Sequence, residues 1–434
     1  MELRRVKPLC LVLCLIGPAA AAESSIPDAA ARAVFAEADA LCRSDAGALW
    51  GASLCGPVML VDPSSRELAA SHPDAQGRLV ARDGVFVGQL PADAMVANTA
   101  VDWSGTRWTQ LRWPLPQDLA RRRTLLAHEM FHRLQPELSI AHPAEGSNEH
   151  LDTFDGRYFM QLEWRALAAA LCTADADARR SAAADALAFR AARHRLFPAA
   201  ASEEAALELN EGLAEYTGVM VGNPAASARI DAALHDLRAH VDDRSFVRSF
   251  AYATGPAYGL LLDQAAPRWR DELGQRPRDL GTQLAEAAQI TPSLDEPVLR
   301  AAAARYDGPE LHHAETLREQ HRIAQLQQNR ARFVTGPVLR LDLRSMRIQF
   351  DPNTLQPLPG SGTVYPTMQL SDAWGTLQVT GGALMQSDWK AVFVQAPAPE
   401  GSLLQGEGWS LRLAPGWSVV AGARSGDYVL KPQP

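Results

Sequence analysis

Ten consecutive residues constrain this chain more than any others: Leu125, Leu126, Ala127, His128, Glu129, Met130, Phe131, His132, Arg133 and Leu134. They contain the pattern His-Glu-x-x-His. On an α-helix, residues four apart lie one turn above each other. His128 and His132 can therefore offer two imidazole nitrogens to one metal, while Glu129 reaches a water on that metal without ligating it. Leu125, Leu126, Phe131 and Leu134 supply the apolar positions that fix such a helix on a core. Pro114 and Pro116 precede it and Pro136 stops it.

A metal held for catalysis needs a third protein ligand. Downstream runs Leu207, Glu208, Leu209, Asn210, Glu211, Gly212, Leu213, Ala214, Glu215, Tyr216. Its apolar spacing predicts a helix with a buried face over 202–221. Glu211 and Glu215 stand one turn apart, so one carboxylate can bind the metal while the other holds a ligating histidine by its second ring nitrogen.

His-Glu-x-x-His followed by Asn-Glu-Gly-x-Ala-Glu-Tyr resembles the gluzincin clan of zinc metallopeptidases, which includes thermolysin and the aminopeptidase N group. The resemblance implies one zinc ion held by His128, His132 and Glu211, with Glu215 orienting the first histidine. It also implies peptide-bond hydrolysis through a zinc-activated water, with Glu129 as general base. Tyr252, Ala253, Thr254 and Gly255 resemble the Tyr-x-x-Gly segment of the aminopeptidase group, which implies that Tyr252 donates a hydrogen bond to the tetrahedral intermediate. Tyr216 and Tyr258 compete for that role. Nearly 80 residues separate His132 from Glu211, against roughly 20 in familiar members. The Gly-x-Met-Glu-Asn signature of aminopeptidases is absent, which favours an endopeptidase.

Residues 1–22 read as an export signal. Arg4, Arg5 and Lys7 precede a short apolar run, and Ala20 to Ala22 form a small-residue cleavage site. Its removal takes the formal charge from -8 to about -10. An acidic chain without a Lys/Arg run speaks against nucleic acid as a partner, and no stable membrane anchor is expected. Arginine in place of lysine, with abundant alanine, suggests a high-GC bacterial coding sequence, hence a periplasmic or secreted protein. In an oxidising compartment Cys42 and Cys55 could close a short loop. Cys172 reads as a buried thiol in an apolar helix.

Three regions follow the leader. Residues 50–115 are β-rich, with a hairpin over 79–87 whose tip is Asp83-Gly84. Residues 106–114 alternate polar and apolar side chains, and Pro114 suits an edge strand of the kind that pairs with extended substrate. Residues 116–334 are helical, including an insertion over 137–201 between the ligands. His142, His150, Asp152 and Asp155 there read as loop residues. Residues 335–434 alternate in short runs between Gly and Pro turns, the pattern of an all-β sandwich or barrel. The expected class is thus α+β: a mainly helical, zincin-like catalytic domain over 23–334 with a small N-terminal β-rich part, then a β module. A non-catalytic binding protein of the cell envelope on the same fold is the alternative.

Overall fold

The computed structural model describes residues 25–433 except 92–93, 139, 141–143, 145, 275–277, 352–353 and 398–403. The expected leader, 1–22, and His142 lie outside the described residues. The chain mixes α and β structure in the expected order: N-terminal strands, a central helical region and a C-terminal β module. It divides into two compact units. One comprises the residues up to Ile140 with Thr217–Arg229; the other comprises Ala141–Tyr216 and Ile230–Pro434.

The first unit is built on a six-stranded sheet. Its strands are β1 (Val58–Val61), β2 (Glu67–Ala70), β3 (Val80–Arg82), β4 (Val85–Gln89), β5 (Thr99–Trp103) and β6 (Thr106–Arg112), in the order β3-β4-β2-β1-β6-β5. Asp83 and Gly84 both take positive φ, 44° and 78°, as a two-residue hairpin turn requires. Every residue of β1 is buried, so the sheet is covered on both sides at this central strand. Met59, Val61, Leu68, Ala70, Leu90 and Trp108 form one cluster. The helices α1 (Asp28–Asp45) and α2 (Leu119–Leu134) pack on the sheet and on each other.

The strand expected at the sheet edge is interior. β6 lies between β1 and β5 and pairs with β1 in parallel, Leu60 opposite Leu111. Pro114 falls beyond the last strand residue, so it removes no amide from the ladder, and β5 takes the edge.

α2 is anchored along its length. The Asp118 carboxylate accepts from the Arg121 amide at 2.9 Å and caps its start. Arg122 and Arg123 both pair with Glu37 of α1, at 2.8 and 3.1 Å. A Cβ on Gly218 would stand 2.7 Å from the Thr124 carbonyl oxygen, so only glycine permits that approach. At the far end, the buried Arg133 guanidinium donates to the carbonyls of Leu54 and Cys55, at 3.1 and 2.8 Å. Cys55 is bridged to Cys42 of α1. The disulfide thereby ties together α1, the 54–56 loop and the last turn of the histidine helix.

The second unit begins with the helices α3 (Phe154–Cys172) and α4 (Ala176–Leu196), which pack closely across a three-residue connection. Cys172 is exposed rather than buried, because it is the last residue of α3, where the chain leaves the packed face. α5 (Ala200–Leu207), α6 (Leu213–Gly222), α7 (Ala226–Ala239) and α8 (Ser249–Ala265) follow along the chain, and Thr217–Arg229, the end of α6 and the start of α7, belongs to the first unit. Further helices run over Leu280–Ala287, Glu296–Ala304 and Gly308–Arg330. The chain then enters a sandwich of a seven-stranded and a five-stranded sheet. Leu339, Leu341 and Val392 of one sheet meet Leu370, Leu377 and Leu411 of the other in a single core. No helix among the described residues is long and apolar enough to cross a membrane.

The cross-link closes a loop with a sequence separation of 13, for which chain entropy stabilises the native state by about 3 kcal/mol. Urea denaturation of the whole chain with and without a thiol reductant checks this. The reduced protein should unfold at a lower midpoint, and Cys42→Ser with Cys55→Ser should reproduce the shift.

Candidate metal centre

On α2 the two histidines behave as their spacing demands. Their Nε2 atoms stand 3.1 Å apart. Two bare imidazole lone pairs repel at that distance, so the arrangement calls for a shared proton or a shared cation. Nitrogens bound at about 2.0–2.1 Å to a tetrahedral zinc lie about 3.3 Å from one another, close to the observed separation. The other ring nitrogen of His132, Nδ1, donates to the side-chain carbonyl of Gln135 at 3.2 Å. That bond fixes the tautomer in which Nε2 carries the lone pair, the form that ligates a metal. Gln135 escaped the sequence reading, although it lies one turn beyond His132, the place from which a helical neighbour can reach a ligand's outer nitrogen. Glu129 is buried, as is His128.

Glu211 lies in a π-helical turn, Glu208–Gly212, between α5 and α6. A continuous helix was expected there. The π turn accommodates an extra residue and turns the side chains that follow. Its cause is visible in the packing against α8. A Cβ on Gly255 would stand 2.2 Å from the Gly212 carbonyl oxygen, so the two glycines bring the backbones together. Glu211 is buried. One oxygen, Oε2, accepts from the Tyr252 hydroxyl at 2.7 Å, and the other, Oε1, from Arg248 Nη2 at 3.2 Å. Burial, followed by the Glu211 charge and hydrogen bond, pushes the Tyr252 phenol far above its ordinary value, so it remains a donor.

His128, His132 and Glu211 are a group that could hold a metal ion. The donor set is two imidazoles and one carboxylate, which suits zinc and leaves a coordination position open. Glu215 stands in the first turn of α6 and is half-buried. The competing tyrosines are engaged elsewhere. Tyr216 donates to Asp263 at 2.8 Å, and Tyr258 to Glu163 at 2.7 Å.

The segment that presents Glu211 is moored by a buried ionic cluster that no motif announced. Arg190 on α4 binds Glu163 on α3, Glu208 in the π turn, and Asp279. Arg193 grips both oxygens of Glu204 on α5, at 2.8 and 2.7 Å. His150 and His194 also bond Glu204, at 2.7 and 3.0 Å. His150, expected in a loop, instead sits in the short turn Glu149–Asp152 with its ring in this cluster, and Asp155 opens α3.

No protein-family model, curated protein or solved structure matches the chain.

Burial alone would raise the Glu204 carboxyl, but the Arg193 charge and the bonds from Arg193, His150 and His194 hold it well below its ordinary 4.5. A carboxyl depressed on folding stabilises the native state above the unfolded pKa, and that contribution is lost as pH falls through the folded pKa. Unfolding free energies from urea titrations between pH 7 and pH 3 should therefore decline for the wild type. Glu204→Gln should begin about 3–5 kcal/mol lower at pH 7, because Arg193 then keeps only Glu163, which it shares with Arg190, as a counter-ion, and should decline less steeply.

Proposed function

We propose that the chain is an exported, zinc-dependent metallopeptidase. In this reading one zinc ion is held by His128, His132 and Glu211, and Glu215 orients the first histidine. When bound, the ion supplies a Lewis acid that lowers the pKa of water towards neutrality and polarises a carbonyl oxygen. Glu129, buried beside His128 on the same helix, takes a proton from the attacking water and passes it to the leaving amine. Tyr252 keeps its proton and serves as hydrogen-bond donor, first to Glu211 and, as the substrate carbonyl becomes an oxyanion, to that oxygen.

The observation that carries this reading is the 3.1 Å approach of the two Nε2 atoms, with the outer nitrogen of His132 occupied by Gln135. An endopeptidase fits better than an aminopeptidase, since no residue pattern marks a free amino terminus. The Cys42–Cys55 bridge supports export, because disulfides persist in oxidising compartments.

Metal analysis and a mixed-peptide digest of purified variants test the proposal. The wild type should hold about one equivalent of zinc, and a chelator should abolish hydrolysis. Glu129→Gln should keep the zinc and lose about 10²–10⁴-fold in turnover. His128→Ala should lose the zinc itself. Undiminished cleavage by Glu129→Gln would remove the assigned base, and zinc-free wild-type protein that still cleaves would remove the metal.

A further inference from the structure

We infer that Arg248 is the substrate-selecting residue of the proposed site, and that it selects peptides carrying a carboxylate close to the scissile bond. The inference rests on the peptidase reading above and deepens it by naming a substrate class.

Arg248 immediately precedes the first residue of α8, and Tyr252 lies one turn further along. Both reach Glu211, but they are held very differently. The Tyr252 contact is short, at 2.7 Å, and largely removed from water. The Arg248 contact is a single bond of 3.2 Å from a side chain that is 64 % exposed. An exposed single-point ion pair of this kind contributes little. Tyr252 therefore suffices to orient Glu211, and the arginine adds little to that task.

Arg248 is also a poor choice as a support for a metal ligand. It places a permanent positive charge beside the carboxylate that a dication would use, and so competes with that dication. A guanidinium presents five N–H donors in a planar fork that matches a carboxylate. The Glu211 bond uses one of them, and among the described residues no other partner of Arg248 appears. Two acids that reach this stretch are engaged. Asp243 bonds His240 at 2.8 Å, while Asp152 bonds the Ser245 hydroxyl and the Phe246 amide, at 2.8 and 3.0 Å. Once a cation draws on Glu211, the fork of Arg248 is left without an anion and within reach of a bound peptide. A carboxylate satisfies it. That carboxylate can be the peptide's own C-terminus or an Asp or Glu side chain.

The test uses the full chain and one N-terminally fluorescein-labelled peptide in four forms. These are the free acid, the C-terminal amide, an amide with one Glu beside the scissile bond, and the same amide with Gln. Equilibrium anisotropy is read in the Glu129→Gln background with zinc present, where binding proceeds without turnover, and kcat/KM is read in the wild type. One of the two carboxylate forms should bind about tenfold or more tighter than its neutral partner, and the pair that differs identifies the source. Adding Arg248→Gln should collapse that ratio towards one, whereas Arg248→Lys should restore it in part. Zinc affinity, measured against a competing chelator, should be equal or tighter in Arg248→Gln. Equal binding of all four forms overturns the inference, as does a ratio that survives Arg248→Gln. Weaker zinc binding in that variant also overturns it, since it would make Arg248 a positioning residue for Glu211. Should no peptide be cut at all, the peptidase reading fails, yet the anisotropy comparison still decides whether Arg248 receives a carboxylate.

Discussion

Arg190 and Arg193 impose the constraint on which the helical part of the second unit depends. Two guanidinium groups one turn apart on α4 are buried among Glu163, Glu204, Glu208 and Asp279. Taking such charges out of water costs several kcal/mol per ion, and only near-complete pairing offsets it. The Tyr258 and Thr254 hydroxyls complete the pairing, on Glu163 and Glu208. A cluster of this kind is weak evidence for extra stability, because apolar residues of equal volume would often do as well. What it does is exclude alternatives. Any slide of α3, α4, α5 or α8 past its neighbours would strand a buried charge. Glu208 is one of the carboxylates so fixed, and Glu211 follows it by three residues. The register of a proposed metal ligand is thereby set by ion pairs that never touch a metal.

The two kinds of proposed ligand are prepared by different physics, which explains how much of the candidate site the sequence disclosed. His128 and His132 need only a helix and a spacing of four, and their facing nitrogens follow from local geometry. That half was legible from ten residues. Glu211 was legible as a residue type on an amphipathic helix. The π turn that carries it was not, because it arises from the close approach of Gly212 and Gly255, more than 40 positions apart. The same holds for the Tyr252 bond to Glu211, for Arg248, and for the whole arginine cluster. Each is a pairing made by tertiary contact between residues that are unremarkable in their own stretch.

In the fold, periodicity and turn chemistry carried the β elements well. The Asp83-Gly84 hairpin and the alternating strands after residue 336 were readable because each side chain's face is decided within a few residues. Strand order was not readable. Pro114 suggested an edge, yet a proline forbids an interior position only where the ladder needs its amide, and β6 has already ended at Arg112. Cys172 misled for a related reason. The apolar helix was correctly seen, but its terminal residue lies where burial stops.

The position of Tyr252 changes what its role can be. A tyrosine reserved for an oxyanion would be expected to wait unpaired, whereas here the hydroxyl is already bonded to a carboxylate and its proton is held more tightly as a result. Such a group loses little if it moves from one anionic acceptor to another, since the bond it breaks and the bond it forms are both charge-assisted. The cost that remains is the reorientation of one side chain over a short distance. A donor that is pre-aligned and protonated is better suited to developing charge than one that must first be stripped of water. If Glu211 holds a cation as proposed, this bond would couple release of the hydroxyl to the electron demand on the carboxylate: the poorer an acceptor Glu211 became, the more readily the hydroxyl would turn to a new oxyanion.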